Sequence, residues 1–309
     1  MSEVAIINEI NEGLVKKIPK GSIVALVTPF DKYGKVDCKK IKQLVAWHEQ
    51  NGTAGIVVFG TTGESPTLTH KEKLLVLEKC LSAVKKDTFV FAGSGSNDTF
   101  KAVEDTREYG RLGADGLLVV SPYYNKTNDD GMLKHFLAVA EASVKPIVLY
   151  NVPSRTGCCI STSVLDKLSK HENVVGIKEA SGNLAYASKV ATFAKENFAL
   201  YCGNDDIILP YLSLGARGVI SVWANVMPSV VAELVKSWFL GKVNKAKKIQ
   251  LHYLEFIDLL FCQPNPIPVK AVLNILGFGV GLPRLPLGQL TKKEKQRLKQ
   301  ALVELGEIK

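Results

Sequence analysis

Apolar and polar positions follow two rhythms along most of the chain. Short, nearly continuous runs of β-branched and other apolar residues recur at 22–30, 55–60, 88–94, 116–122, 146–151, 174–180, 199–204 and 218–222. Continuous apolarity, rather than strict alternation, is what parallel strands covered on both faces require. Between these runs lie segments with helical spacing, at 37–50, 69–85, 98–111, 129–142, 161–170, 183–196, 205–214 and 228–240. Thr69 and Glu72 have the spacing of a capping box, and Pro228-Ser229 suits a helix start. Gly52, Gly110, Gly113 and Gly241 read as stops. Eight β-then-α units with short links predict an α/β fold, a (β/α)8 TIM barrel. The rival doubly wound sheet lacks its fingerprint: Gly93-Ser94-Gly95 is followed by Asp98 where a third glycine would stand. Beyond Gly241 the pattern is helical only, at 243–262, 267–277 and 291–305, broken by Gln263-Pro264-Asn265-Pro266 and the loop 277–288. The predicted organisation is an N-terminal extension (1–20) without assigned function, a catalytic barrel (21–241) and a C-terminal helical domain (242–309).

Composition narrows the picture. A chain of 309 residues with 46% hydrophobic content buries a large core without disulfides or metals. The six cysteines are scattered and form no C-x-x-C pair, so reduced thiols and no zinc or other metal site are expected. No apolar run approaches the ~18 residues of a membrane span. Glu3, Glu9 and Glu12 interrupt the N-terminus, which has the features of neither a signal nor a transit peptide; a cytoplasmic location is expected. The net charge of +9 is spread over short clusters, Lys16-Lys17, Lys39-Lys40, Lys245 to Lys248 and Lys292 to Lys299. None is interleaved with aromatics, so no nucleic-acid partner is expected, and the last reads as a solvated helix face. A positive field does favour small anionic substrates.

In such a barrel, chemistry sits at the C-terminal ends of the strands. Lys178 follows Val174-Val175-Gly176-Ile177, deep in a predicted strand, where an ammonium is costly to bury. Burial favours the neutral amine, a nucleophile that forms an imine with a ketone and so provides an electron sink. The competing reading is a structural lysine paired with Glu179. Tyr150, Tyr124, Thr61 and Thr62 end three other strands and offer a hydroxyl relay, or simply satisfied core hydroxyls. Gly60 and Gly63 allow a tight turn whose amides face a carboxylate. Arg155, framed by Pro153 and Gly157, suits a bidentate carboxylate contact or a surface salt bridge.

Six ordered motifs, GTTGES (60–65), SPYYNK (121–126), YNVPSRTG (150–157), GIKEASG (176–182), GVISV (218–222) and NPIPVK (265–270), resemble the pyruvate-dependent Schiff-base aldolase family over nearly the whole chain. The resemblance implies a lyase in which Lys178 forms the imine with pyruvate and Tyr150 acts as acid–base group, relaying through Thr61 to Tyr124. It implies that Thr62 holds the pyruvate carboxylate, Arg155 the carboxylate of the second substrate, and Gly203 and Ile220 line the pocket with main chain. It places the phenol of Tyr123 in a neighbouring subunit's site, within a homo-oligomer that is a tetramer built from tight dimers. The implied reaction condenses pyruvate with L-aspartate 4-semialdehyde to 4-hydroxytetrahydrodipicolinate, on the way to diaminopimelate and lysine, with no metal or organic cofactor. N-acetylneuraminate lyases share GxTGE, YYN and the imine lysine but lack SRTG, so Arg155 separates the branches. Sugar-acid aldolases and a non-catalytic binding protein on the same barrel are the further alternatives.

The resemblance also implies a regulatory lysine pocket, matched by Ser65, His70, Asn97 and Tyr123. Lys73 stands where sensitive relatives often have His, and Lys101 where they have Glu. A cation in place of the glutamate opposes a cationic ligand, so weak or absent feedback by lysine is expected.

Overall fold

The computed structural model describes residues 18–85, 88–195 and 197–308. The expected extension 1–20 therefore lies outside the described residues up to position 17, as do Lys16 and Lys17. Eight parallel strands close into a barrel in chain order. They are β1 (Gly21–Ala25), β2 (Gly55–Val58), β3 (Phe89–Gly93), β4 (Gly116–Val120), β5 (Ile147–Asn151), β6 (Val174–Glu179), β7 (Ala199–Cys202) and β8 (Gly218–Ser221). All eight apolar runs form strands. The longest run overshoots because Val27 and Phe30 are buried without joining the ladder. Their N–H groups go to the Asn225 side chain (3.0 Å) and the Val280 carbonyl (2.9 Å).

The chain gathers into two compact units. One contains Phe89–Ile220, hence β3 to β8; the other contains Ser22–Thr88 and Ser221–Lys309. In the first, β5 and β6 are buried at every position, and Phe91, Val119, Leu149, Ile177 and Tyr201 lie in the core. Each such side chain contributes roughly 1.5–3 kcal/mol by leaving water. Its helices Thr99–Arg111 and Asp129–Ala142 start at Asp98 and Asn128, whose side chains accept from Phe100 N and Gly131 N. In the second unit, helix His70–Ala83 opens on Thr69 with the full predicted capping box. Pro228 is the first residue of helix Pro228–Phe239. The C-terminal helix Lys292–Glu304 buries Leu298 and Leu302 and exposes its lysines, as a solvated face should.

Three expectations needed correction. Gly110 does not stop its helix, which runs on to Arg111; the residue lies in the last turn, where Val144 and Lys145 leave no room for more than a close Cβ contact. The single helix expected at 243–262 is two, Val243–His252 and Leu254–Leu260, broken at Tyr253, whose ring packs 5.2 Å from Trp223. The YNVPSRTG loop contains a one-turn helix, Pro153–Thr156, opened by Pro153 and stopped by left-handed Gly157. Among the described residues no helix is long and apolar enough to cross a membrane. The six cysteines form no disulfide.

Candidate active site

In the first unit, β5 and β6 pair with Tyr150 opposite Lys178 and Asn151 opposite Glu179. Strand alternation sends each pair to its own face. On one face Lys178 is 5% exposed, and its Nζ lies 4.4 Å from the centre of the Tyr150 ring. Contact with the aromatic face holds the Lys178 nitrogen in one direction over the ring. On the other face Glu179 is fully buried and accepts from Asn151 Nδ2 (3.0 Å), Ser181 N (2.9 Å) and the Tyr211 hydroxyl. The alternative in which Lys178 pairs with Glu179 is thereby excluded: the two side chains leave the strand in opposite directions. Burial and Glu179 together push the Tyr211 phenol far above its usual range.

The other expected residues of this unit surround the same strand ends or lie apart from them. Arg155 is exposed on the one-turn helix that follows β5. Gly203 follows β7 and tolerates no side chain, since a Cβ there would come within 2.5 Å of Ala180 Cβ and 2.9 Å of Glu179 O. Ile220 is buried in β8. Tyr123 is half-buried. Tyr124 is 91% exposed and holds a left-handed backbone (φ 71°) that a side-chain-bearing residue adopts at a cost of roughly 1–3 kcal/mol. Asn97 is half-buried, and Lys101 is bonded to Asp105 at 2.5 Å.

In the second unit the GTTGES segment is held from several sides. The Thr28 hydroxyl donates to Gly63 O (2.6 Å), and Asn265 Nδ2 donates to the buried Thr62 hydroxyl (2.9 Å). Lys270 Nζ donates to Glu64 Oε1 (2.7 Å), and Arg284 N donates to Glu64 Oε2 (2.7 Å). Thr61 is half-buried, and its carbonyl accepts from Glu64 N. The expected roles of Gly60 and Gly63 change here. The left-handed residues are Phe59 (φ 61°) and Glu64 (φ 55°), while Gly63 is needed because a Cβ would crowd Leu26 O and Phe59 N at 3.2 Å. Ser65 opens a 3-10 turn, His70 is exposed at the start of its helix, and Lys73 is half-buried one turn on.

Sequence reasoning missed Lys270, Glu64 and Arg284 as a set. Lys270 and Glu64 are both fully buried, and Lys270 also donates to Thr28 O and Leu282 O while lying 4.1 Å from the Phe30 ring. Burial lowers the Lys270 pKa to about 8 against the opposing pull of Glu64. Arg284 bonds Glu72 and the carbonyls of Gly34 and Thr67. The signal was available: Lys270 interrupts the apolar run IPVKAVLNI much as Lys178 interrupts its own.

A (β/α)8 barrel with a buried lysine laid against a tyrosine near the end of a strand is an arrangement in which a lysine imine can form. The chain belongs to the dihydrodipicolinate synthetase family, whose model matches residues 18–305. It is 44% identical over 290 residues to the 4-hydroxy-tetrahydrodipicolinate synthase of Clostridium perfringens (strain SM101 / Type A), covering 94% of this chain and 99% of that protein. Its structure resembles the chloride-inhibited dihydrodipicolinate synthase of Acinetobacter baumannii solved in complex with pyruvate, with a TM-score of 0.91, 38% identity, and coverage of 94% and 100% of the two chains. It also resembles a monomeric dihydrodipicolinate synthase variant, with a TM-score of 0.89, 36% identity, and coverage of 94% and 97%.

Proposed function

We propose that the protein condenses pyruvate with L-aspartate 4-semialdehyde to give 4-hydroxytetrahydrodipicolinate, a step toward diaminopimelate and lysine. The observation that carries the reading is the Lys178 amine, buried, without an ion pair among the described residues and laid over the Tyr150 ring at a strand end. The neutral amine attacks the ketone carbon of pyruvate, and loss of water leaves an iminium on Lys178. The iminium draws electrons from the neighbouring methyl group, which gives up a proton and becomes the enamine carbon. That carbon attacks the aldehyde; a carbon–carbon bond forms, and the aldehyde oxygen takes a proton to become a hydroxyl. The amine of the second substrate then attacks the imine carbon, releasing Lys178 as the ring closes. The lysine itself is the electron sink.

Tyr150, beside the amine, is assigned the proton transfers at the carbinolamine and enamine stages, with Thr61 and, reaching in from a second copy, Tyr124 passing protons onward. Thr62 and neighbouring main chain hold the pyruvate carboxylate, Gly203 and Ile220 contribute main-chain lining, and Arg155 holds the carboxylate of the semialdehyde. The exposure of the two adjacent phenols favours exchanging their expected places. Tyr124, projecting into solvent on a strained backbone, is the phenol suited to enter a second copy's site, and Tyr123 stays with its own chain. A homo-oligomer follows from that reading, a tetramer of tight dimers being the form proposed. A cytoplasmic location and the division into a barrel (21–241) and a helical domain (242–309) belong to the same proposal.

The test is a steady-state assay with pyruvate and either L-aspartate 4-semialdehyde or N-acetylmannosamine. Turnover with the semialdehyde alone supports the proposal. Turnover with the amino sugar alone would assign the chain to the neuraminate-lyase branch.

A further inference from the structure

Glu179 is a buried carboxylate that the proposed chemistry does not use. Among the described residues it meets no cation; its partners are three neutral donors from three elements, Asn151 at the end of β5, the main chain of Ser181, and Tyr211 on helix Ile208–Ser213. A buried charge is costly, and an apolar residue packed between the same elements would cost less. What an apolar residue cannot do is fix three donors in direction. Two of those donors bear on the site. Ser181 begins the turn directly after the lysine strand. Asn151 is itself fully buried and spends its whole side chain. Its Nδ2 donates to Glu179 and to Cys159 Sγ (3.5 Å), and its Oδ1 accepts from Ile160 N (3.0 Å).

The consequence is geometric. The segment carrying Arg155 leaves the barrel at Asn151 and is returned to the same residue by the Ile160 amide. One side chain therefore closes the loop at both ends. The Asn151 carbonyl also accepts from Ala180 N (2.9 Å), and Gly203 N donates to Glu179 O (2.7 Å), so main chain and side chain reinforce one register across β5, β6 and β7. Tyr150 and Lys178 are the immediate chain neighbours of Asn151 and Glu179, on the opposite face. Rotating either clamp residue would tilt its reactive neighbour and swing the arginine loop.

Resting on the lysine-imine reading above, we propose that Asn151 and Glu179 are positioning residues that fix the Arg155 loop to the strand bearing Lys178, setting the hold on the second substrate's carboxylate. They touch no substrate and act through the loop. The contribution lies in directional hydrogen bonds, so an amide in place of the Glu179 carboxylate preserves it: Gln accepts from Asn151 and Ser181 through its oxygen and donates to the Tyr211 oxygen through its nitrogen.

The test is a kinetic cycle on the full-length protein with Asn151→Ala, Arg155→Ala and the double variant, alongside Glu179→Gln and Glu179→Ala. Asn151→Ala and Glu179→Ala are expected to raise KM for the semialdehyde about tenfold, while borohydride trapping of pyruvate on Lys178 stays within about twofold of the parent. In the Arg155→Ala background Asn151→Ala should change that KM less than about twofold, because the loop no longer carries the contact it positions. Glu179→Gln should restore near-parental KM and thermal midpoint. Additive effects in the cycle, loss of pyruvate trapping alongside the rise in KM, or Glu179→Gln as impaired as Glu179→Ala would each overturn the proposal. Where Asn151→Ala fails to fold, Asn151→Ser and the Gln-against-Ala comparison at 179 decide. Failure of the parent protein to trap pyruvate at Lys178 would instead refute the functional reading beneath it.

Discussion

Replacing Lys270 with Met tests how the GTTGES segment is held. Lys270 and Glu64 are both fully buried, with Nζ 2.7 Å from Oε1. Met matches the stem in volume but removes the charge and three donated bonds, to Glu64, Thr28 O (3.0 Å) and Leu282 O (3.3 Å). Glu64 is then a buried carboxylate that still accepts from the Arg284 amide at 2.7 Å. Leaving one member of a buried pair without its partner costs about 3–5 kcal/mol. The exposed pair Lys134–Asp130, at the same 2.7 Å but 74% and 68% exposed, serves as contrast, because surface pairs contribute about 0–1 kcal/mol. Urea and thermal unfolding of Lys270→Met, Lys134→Met and the double variant Lys270→Met/Glu64→Gln measure the difference. The double variant should recover most of the loss by removing the orphaned charge. KM for pyruvate should rise several-fold in Lys270→Met, since Glu64 follows Thr62 by two residues and sets the loop's left-handed exit. A Lys270→Met variant within about 1 kcal/mol of the parent, or a double variant worse than the single, would refute the reasoning.

Other expectations follow from the same geometry. Arg155→Ala should lower kcat/KM for the semialdehyde by about 100-fold, the loss of a bidentate charged contact, while pyruvate trapping at Lys178 persists; equal loss of both would displace Arg155 from its role. Burial lowers His48 to about 3 and His135 to about 4 from an ordinary value of 6.5. Below pH 6.5 the unfolded chain then binds protons that the folded chain refuses, so stability is lost as pH falls, by about 2 kcal/mol per histidine at pH 5. Unfolding measured at pH 7.5 and 5 should show this, and His48→Gln should flatten the slope; an unchanged slope would contradict it. Micromolar L-lysine should leave the initial rate unchanged, although Asp105 offsets part of the Lys101 charge; strong inhibition in a dose series would reverse that expectation.

Much of the barrel was legible because parallel strands buried on both faces leave continuous apolar runs, and because Thr69 and Pro228 mark helix starts chemically. Lys178 was legible as a charge inside such a run, and alternation along β6 settles its relation to Glu179. What stayed hidden depends on contacts distant in sequence. The Glu64–Lys270 bond spans 206 positions, and nothing local to either residue names the other. The break falls at Tyr253, which packs on Trp223, a contact distant in sequence that helical periodicity does not encode. The exposure of Tyr124 depends on a left-handed turn that its sequence does not demand.

The central claim is covalent chemistry at one amine, and two buried lysines make the test discriminating. Incubation with pyruvate and borohydride, followed by peptide mass mapping, should place a reduced pyruvate adduct on the peptide containing Lys178 and abolish it in Lys178→Arg. An adduct on the Lys270 peptide instead, or none on either, would contradict the account.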